Sequence, residues 1–395
     1  MAHTPSNGDR VTMPTPTHEA LAHSARVVAH IGRMIATSGG WISFADYMGA
    51  ALYAPGLGYY VAGARKFGPA GDFVTAPELT ALFGEALAAQ IEAVLAQLPG
   101  SSVIELGPGT GQLAADVLSA LASRDALPER YCLLEVSPDL RERQREHLRD
   151  RVPDLLPRVE WIDVLPGHWR GALLANEMLD AVPPHLIARQ DGAWFERGVE
   201  IGAAGEFRFA DRPLANGALR DAARSRFPDD GDYASEINPA AQALVRSLAL
   251  RCDAGALLIF DYGFPASEYY HPQRNGGTVM THYRHRTVDD PFFLPGLADL
   301  TAHVDFSAIA HAGVAGGMSL NGYATQARFL INCGILDALA RRGAPQSAAY
   351  LREAAAVQKL LSPAEMGELF KALALAKDID VDLLGFGDGD QSHRL

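Results

Sequence analysis

The segment Val103-Ile104-Glu105-Leu106-Gly107-Pro108-Gly109-Thr110-Gly111 sets an acid at the end of an apolar run, with three glycines on alternate positions behind it. Glycine lets the backbone adopt φ > 0 and lets a ligand approach the main chain closely. The spacing is G-x-G-x-G, not the G-x-G-x-x-G of a dinucleotide site. A pyrophosphate needs a helix amino terminus aimed at it, and Glu105 would repel it. The same acid suits a cationic ligand. Two further apolar runs end in acids, at Leu133-Leu134-Glu135 and Trp161-Ile162-Asp163. Glu135 lies 24 residues beyond Gly111 (135 − 111), where an acid can accept hydrogen bonds from both hydroxyls of a ribose. Asp163 could accept from the amino group of an adenine. A ligand with a ribose, an adenine and a positive charge but no phosphate is S-adenosyl-L-methionine (SAM). Glu105 would face its amino group or its sulfonium.

These residues need a parallel sheet to bring them to one edge. Short apolar runs at 103–106, 131–136, 159–162, 172–175 and 256–260 are strand length, and the stretches at 112–122 and 139–149 suit helices. Strands alternating with helices predict right-handed βαβ units, a doubly wound α/β sheet of Rossmann-like type. Ahead of it, apolar positions at helical spacing predict a helix over 18–37, a second opened by the capping box Ser43-Phe44-Ala45-Asp46, and a third opened at Thr75-Ala76-Pro77-Glu78. Between the fourth and fifth strands, segments at 185–189, 194–201 and 207–210, with Asp191-Gly192 between the first two, read as an antiparallel meander. Asn238-Pro239 opens a helix to Leu250. A long irregular insertion runs from 262 to about 315, a length that in a compact domain points to a substrate cover. Helices over 325–341 and 348–361 and a last strand over 370–376 follow.

The chain therefore divides into a disordered N-terminus (1–17), a helical lead-in and cofactor lid (18–100), a SAM-binding core (101–261) with a β-meander insertion (184–212), an inserted substrate-side segment (262–315), helices and final strands of the sheet (316–384), and a polar, frayed tail (385–395). Composition is that of a globular protein, 48% apolar and 21% charged, with a net charge of −13. That acidity disfavours nucleic acid as partner. Three scattered cysteines give neither a disulfide framework nor a zinc site. The histidines at 271, 282, 285, 303 and 311 fit no metal template, so no metal is expected. No apolar run reaches membrane-spanning length, and the expected compartment is the cytoplasm, or the mitochondrial matrix in a eukaryote.

Further motifs widen the reading. Ile42-Ser43-Phe44-Ala45-Asp46-Tyr47-Met48, Gly58-Tyr59-Tyr60, and Gly71 to Glu78 with Leu82-Phe83-Gly84 precede the glycine turn. Asn176-Glu177-Met178-Leu179-Asp180-Ala181-Val182-Pro183, Asp261-Tyr262-Gly263, Pro295 to Phe306 and Glu365 to Lys371 follow it. In this order, over roughly 25–377, the chain resembles the MidA-like methyltransferases, a family that includes the mitochondrial complex I assembly-factor enzymes. The resemblance implies a SAM-dependent protein methyltransferase, with arginine as the target in the mitochondrial members and a respiratory complex I subunit as partner. The residues give arginine a physical reason as well. A guanidinium is planar, permanently charged and best held by carboxylates. Glu177 and Asp180 could orient and polarise it, and Asp261 or Tyr262 could align it or take a proton. Asn176 and Thr75 are expected at the cofactor, Thr75 as part of its lid. Two other readings remain: an N- or O-methyltransferase of a small metabolite, and an assembly factor that binds SAM without turnover.

Overall fold

The computed structural model describes residues 14–62 and 75–395. The apolar runs pair into a central sheet. Strands β1 (Ser102–Leu106), β2 (Tyr131–Leu134), β3 (Val159–Ile162), β4 (Trp169–Asn176) and β5 (Cys252–Phe264) run parallel to one another. Two more follow, β6 (Ser319–Thr325) and β7 (Phe370–Lys377), with β7 antiparallel to both β5 and β6. The spatial order is β6-β7-β5-β4-β1-β2-β3. Strand order reverses beside β1, so the β1–β4 crevice is the switch point where ligands bind in such sheets.

Alternate residues of each strand face opposite layers. Val103 of β1 and Leu174 of β4 pack with Leu87, Ile91, Val117 and Leu121 of the helices α4 (Ala81–Gln97) and α5 (Gln112–Ala122). Ile104 and Leu173 face the other way, against the helices Pro239–Leu250 and Phe306–Ala315. The lead-in begins with α1 (His18–Thr37) and α2 (Phe44–Tyr53), followed by the four-residue α3 (Ala76–Leu79). Ser43 caps α2, its hydroxyl accepting from Asp46 N at 3.0 Å. The third predicted helix is divided. Thr75 makes no side-chain cap bond, and the extended Thr80 (φ −164°) separates α3 from α4 and caps α4 instead. α6 (Pro138–Arg151) follows β2.

The meander forms with the expected Asp191-Gly192 turn, both residues at positive φ. It gains two strands that were not expected, Ile42–Ser43 and Tyr233–Ile237. The inserted segment is more regular than its sequence suggests: Met280–Tyr283, Arg286–Val288 and Asp299–Thr301 form a small antiparallel sheet. The helix expected over 325–341 breaks at Gly334 (φ 81°) into Gln326–Asn332 and Ile335–Ala340. The tail is not frayed. Gly385 N donates to Gln90 Oε1 at 2.9 Å, Tyr323 N donates to Asp390 Oδ1 at 2.8 Å, and Phe386 is buried. Its polar composition concealed one aromatic anchor. The glycine-rich stretch read as a loop at 63–71, the motif residues 71–74 and the first thirteen residues lie outside the described residues. Among the described residues no helix is long and apolar enough to cross a membrane.

Candidate active site

β1 ends on Glu105 and the chain turns through Gly107 (φ 61°), Gly109 (φ 54°) and Gly111 (φ 84°) into α5. All three sit where a Cβ is strained, which explains why the motif is glycine. They act at different places. Gly107 and Gly109 line a cavity of about 290 Å³. Gly111 is the N-cap of α5 and packs behind the turn, where a Cβ would meet Gln144 Cγ at 3.5 Å.

Glu105 also lines the cavity and is buried. It accepts from the Tyr131 hydroxyl at 2.7 Å. Burial pushes its carboxyl up to about 7, against the lowering effect of that bond. Glu135 is the acid of β2. Its Oε1 accepts from Ser137 N at 2.8 Å and its Oε2 from Gln144 Nε2 at 3.2 Å. Burial raises it as well. Each oxygen keeps a further lone pair for a ligand hydroxyl. Gln144 also donates to Gly109 O at 2.9 Å and accepts from Trp161 Nε1 at 2.9 Å, so one fully buried amide ties the glycine turn to Glu135. The sequence reading missed Gln144, which sits in a run of charged helix residues. It also missed Val136, a valine 66% exposed that lines the cavity beside Glu135 and offers an apolar face for a flat ring. Asp163 is exposed and does not line the cavity. β3 stops at Ile162, two strands away from β1, and the acid beyond it points to solvent.

β4 delivers Asn176 and Glu177 to the cavity, and Thr75 lines it from the lead-in. Glu177 has φ 49°, a strained conformation for a residue with a Cβ. Its backbone is held by Glu177 N donating to Phe260 O at 2.8 Å. Its Oε1 accepts from Ala76 N at 3.2 Å and from Asn176 Nδ2 at 3.3 Å. Burial first, then the charge of Asp180, pushes it up to about 8. The short α3 bridges both edges, since Glu78 Oε1 also accepts from the Thr110 hydroxyl at 2.5 Å.

The other three expected catalytic residues lie behind this surface and do not line the cavity. Asp261 is fully buried; its Oδ2 accepts from Met178 N, Leu179 N and Asp180 N at 3.2, 2.9 and 3.2 Å, and its Oδ1 from Tyr262 N at 3.0 Å. Burial and the charges of Asp180 and Glu177 push Asp261 upward, and the amides of the turn pull it down. It organises the turn that carries Glu177. Asp180 is buried and is pushed up to about 6 by burial, although the Tyr262 hydroxyl bonds to it; its Oδ1 has no hydrogen-bond partner among the described residues. Tyr262 packs edge-on between His303 and Phe370, at 5.1 and 5.3 Å.

Four buried or half-buried carboxyls, those of Glu78, Glu105, Glu135 and Glu177, line one cavity, and none of the described residues lining it is lysine, arginine or histidine. Such a site would repel phosphate and would hold the amino group and sulfonium of SAM. The positive-φ glycines leave room for it, and Glu135 and Val136 suit its ribose and adenine. Among the described residues no group of three His, Cys, Asp or Glu could hold a metal ion.

Comparison with known proteins agrees with this chemistry. Residues 83–324 match the model of a family described as S-adenosyl-L-methionine-dependent methyltransferases. The chain is 32% identical over 380 residues to the zebrafish (Danio rerio) protein arginine methyltransferase NDUFAF7, covering 87% of this chain and 85% of that protein. The human counterpart is 30% identical over 375 residues, with 86% and 80% covered. A Burkholderia thailandensis crystal structure, bound to S-adenosyl-homocysteine, is 48% identical, with a TM-score of 0.94 over 97% of this chain and 100% of that one.

Proposed function

Since the chain belongs to the MidA-like family of SAM-dependent methyltransferases, we propose that it methylates an arginine side chain of a protein. The observation that carries this reading is Glu177, a carboxylate aimed into the cavity at the β4 end and backed by Asp180 and Asp261. An acid cluster there suits an acceptor that arrives positively charged. The relatives' names, protein arginine methyltransferase, support the same acceptor.

When bound, SAM supplies a methyl group on a sulfonium. The chain's own residues hold and orient. Glu105 balances the positive charge of the amino acid end, and Glu135 accepts from the ribose hydroxyls. Glu177 aligns the guanidinium and, with its carboxyl pushed up to about 8, takes the proton that the nitrogen sheds on methylation. Positioning and charge matching of this kind supply most of what methyl transfer needs. Thr75 and α3 cover the cofactor from the lead-in. A protein partner, such as a respiratory complex I subunit, fits the family reading. Three free cysteines, two of them buried, suit a reducing compartment such as the cytoplasm. The test is incubation of the protein and of Glu177→Gln with radiolabelled SAM and cell lysate, followed by mass spectrometry. We expect a labelled protein carrying methylarginine with the wild type only. Label on a small molecule, or on lysine, would overturn the arginine reading.

A further inference from the structure

Two tyrosines line the cavity together with Ala181 and Glu177 of the β4 turn. Tyr53 closes α2, and the chain then reverses onto that helix. Gly58 N donates to Ala54 O at 2.7 Å, Tyr59 N to Ala51 O at 2.9 Å and Tyr60 N to Leu52 O at 2.9 Å. A Cβ at Gly58 would sit 2.5 Å from the carbonyl of Leu52, so the turn requires glycine. The result is a stacked pair: the rings of Tyr53 and Tyr60 lie 5.6 Å apart at 20°. Both hydroxyls are tethered. Tyr53 donates to Ala181 O at 2.8 Å, and Tyr60 donates to Asp299 Oδ2 at 3.0 Å.

Asp299 belongs to the inserted sheet and is buried. The strand that carries it meets the β4 turn directly, with Ala302 N donating to Asp180 O at 2.9 Å. Burial raises both phenols, and the charges of Asp299 and Asp180 raise both further. Lead-in, β4 turn and inserted segment thus converge on one wall of the cavity.

We propose that the stacked Tyr53–Tyr60 pair is the acceptor-recognition wall of the site, and that Asp299 is a positioning residue that fixes Tyr60 and, with Asp180, makes the wall selective for a planar cation. The inference rests on arginine as the acceptor. A guanidinium stacks flat on an aromatic face and is attracted by its electron density. A phenol that donates its proton to a carboxylate has a more electron-rich ring, and the carboxylates add a field of the same sign. A neutral planar group of the same shape gains the stacking but not the charge. The inserted segment thereby acts on the substrate through Tyr60.

The experiment compares three capped tripeptides, Gly-Arg-Gly, Gly-citrulline-Gly and Gly-Lys-Gly, binding to protein loaded with S-adenosylhomocysteine. Citrulline keeps the planar shape of arginine and removes its charge. Affinities are read by NMR titration at millimolar peptide, with thermal melts of every variant. The wild type should prefer arginine over citrulline by roughly tenfold or more, the factor expected for about one charge-assisted contact. Asp299→Asn should reduce that preference at least several-fold while leaving citrulline binding and S-adenosylhomocysteine affinity in place. Tyr60→Phe, which removes only the tethered hydroxyl, should reduce it as well and serves if Asp299→Asn does not fold. An arginine-to-citrulline ratio unchanged in a folded variant, or an equal loss for both peptides, would overturn the proposal and leave the arginine reading intact. A wild-type protein that binds S-adenosylhomocysteine but prefers lysine or citrulline would overturn both.

Discussion

Replacing Asp261 by asparagine separates scaffolding from chemistry at this site. Its Oδ2 accepts from three amides, Met178 N, Leu179 N and Asp180 N, and its Oδ1 from Tyr262 N. Asparagine has one acceptor oxygen. In the better orientation that oxygen serves the three turn amides, and the new NH₂ group faces the N–H of Tyr262. The Tyr262 N–H and the new NH₂ group are then both left without an acceptor, at a cost of about 1–3 kcal/mol each, and three charge-assisted bonds become neutral, at up to roughly 1 kcal/mol each. Loss of a buried charge beside Asp180 and Glu177 offsets part of this. We expect a net loss of about 2–4 kcal/mol, read from the midpoint of urea unfolding with an unchanged slope. Turnover should fall roughly ten- to a hundredfold as the turn carrying Glu177 loosens. A variant with wild-type stability and no detectable turnover would refute the scaffold role and place Asp261 in the chemistry. Wild-type behaviour in both measurements would show that the turn does not depend on it.

Gly109→Val should abolish SAM binding in calorimetry while far-ultraviolet dichroism stays native, since the side chain would fill ligand space at a positive-φ turn; retained binding would remove the glycine turn from the site. Glu135→Ala should weaken SAM by about 1.5–3 kcal/mol, and the exposed Asp163→Ala should change it by less than about 0.5 kcal/mol; the reverse pattern would exchange their roles. Glu177 gives a pH prediction. Its folded value, about 8, is raised, so its contribution to stability is fully present below the ordinary carboxylate range and is lost as pH rises through about 8. Melting temperatures of the ligand-free protein should therefore decline across that window, and Glu177→Gln should flatten the upper part of the decline, leaving the part due to Glu105 near 7. An identical pH profile in the variant would place the titration elsewhere.

The parts of the fold that could be read in advance are those set by local rules. Strand-length apolar runs, a Gly-rich turn and an Asp-Gly hairpin each state their own geometry within a few residues. What escaped depends on direction or on partners distant in sequence. Asp163 and Glu135 look alike in sequence, each an acid after a strand, yet only Glu135 lines the cavity. Asp261 lies within β5 near the site, and nothing local says that its oxygens turn toward the amides of residues 178–180. Gln144 is buried at the centre of a helix whose sequence neighbours are arginine and glutamate, and only Leu140 and Leu148, four residues to either side, mark its face. The inserted strands are three or four residues long, too short to show a period of two. Tyr53 and Tyr60 were visible as aromatics; their stacking required the reversal at Gly58.

Glu105, Glu135 and Glu177 all line one cavity, and burial raises all three. Each raised value means that the carboxylate lacks the solvation its charge would have in water. A cationic ligand supplies what is missing, so the same burial that weakens the ligand-free fold strengthens binding of SAM and, if arginine is the acceptor, of its guanidinium. On the arginine reading the charge then changes during the reaction. A sulfonium and a guanidinium enter with two positive charges; a neutral thioether, a methylguanidinium and a proton result. The proton needs a group that titrates near neutrality at the acceptor end, which Glu177 provides. Once it is protonated, the site has lost one negative charge and one positive charge together, and the remaining carboxylates still face the methylguanidinium and the amino group of the product. The acids therefore stay matched to their ligand before and after transfer, whereas a site built from neutral hydrogen-bond donors would have no means of following that change.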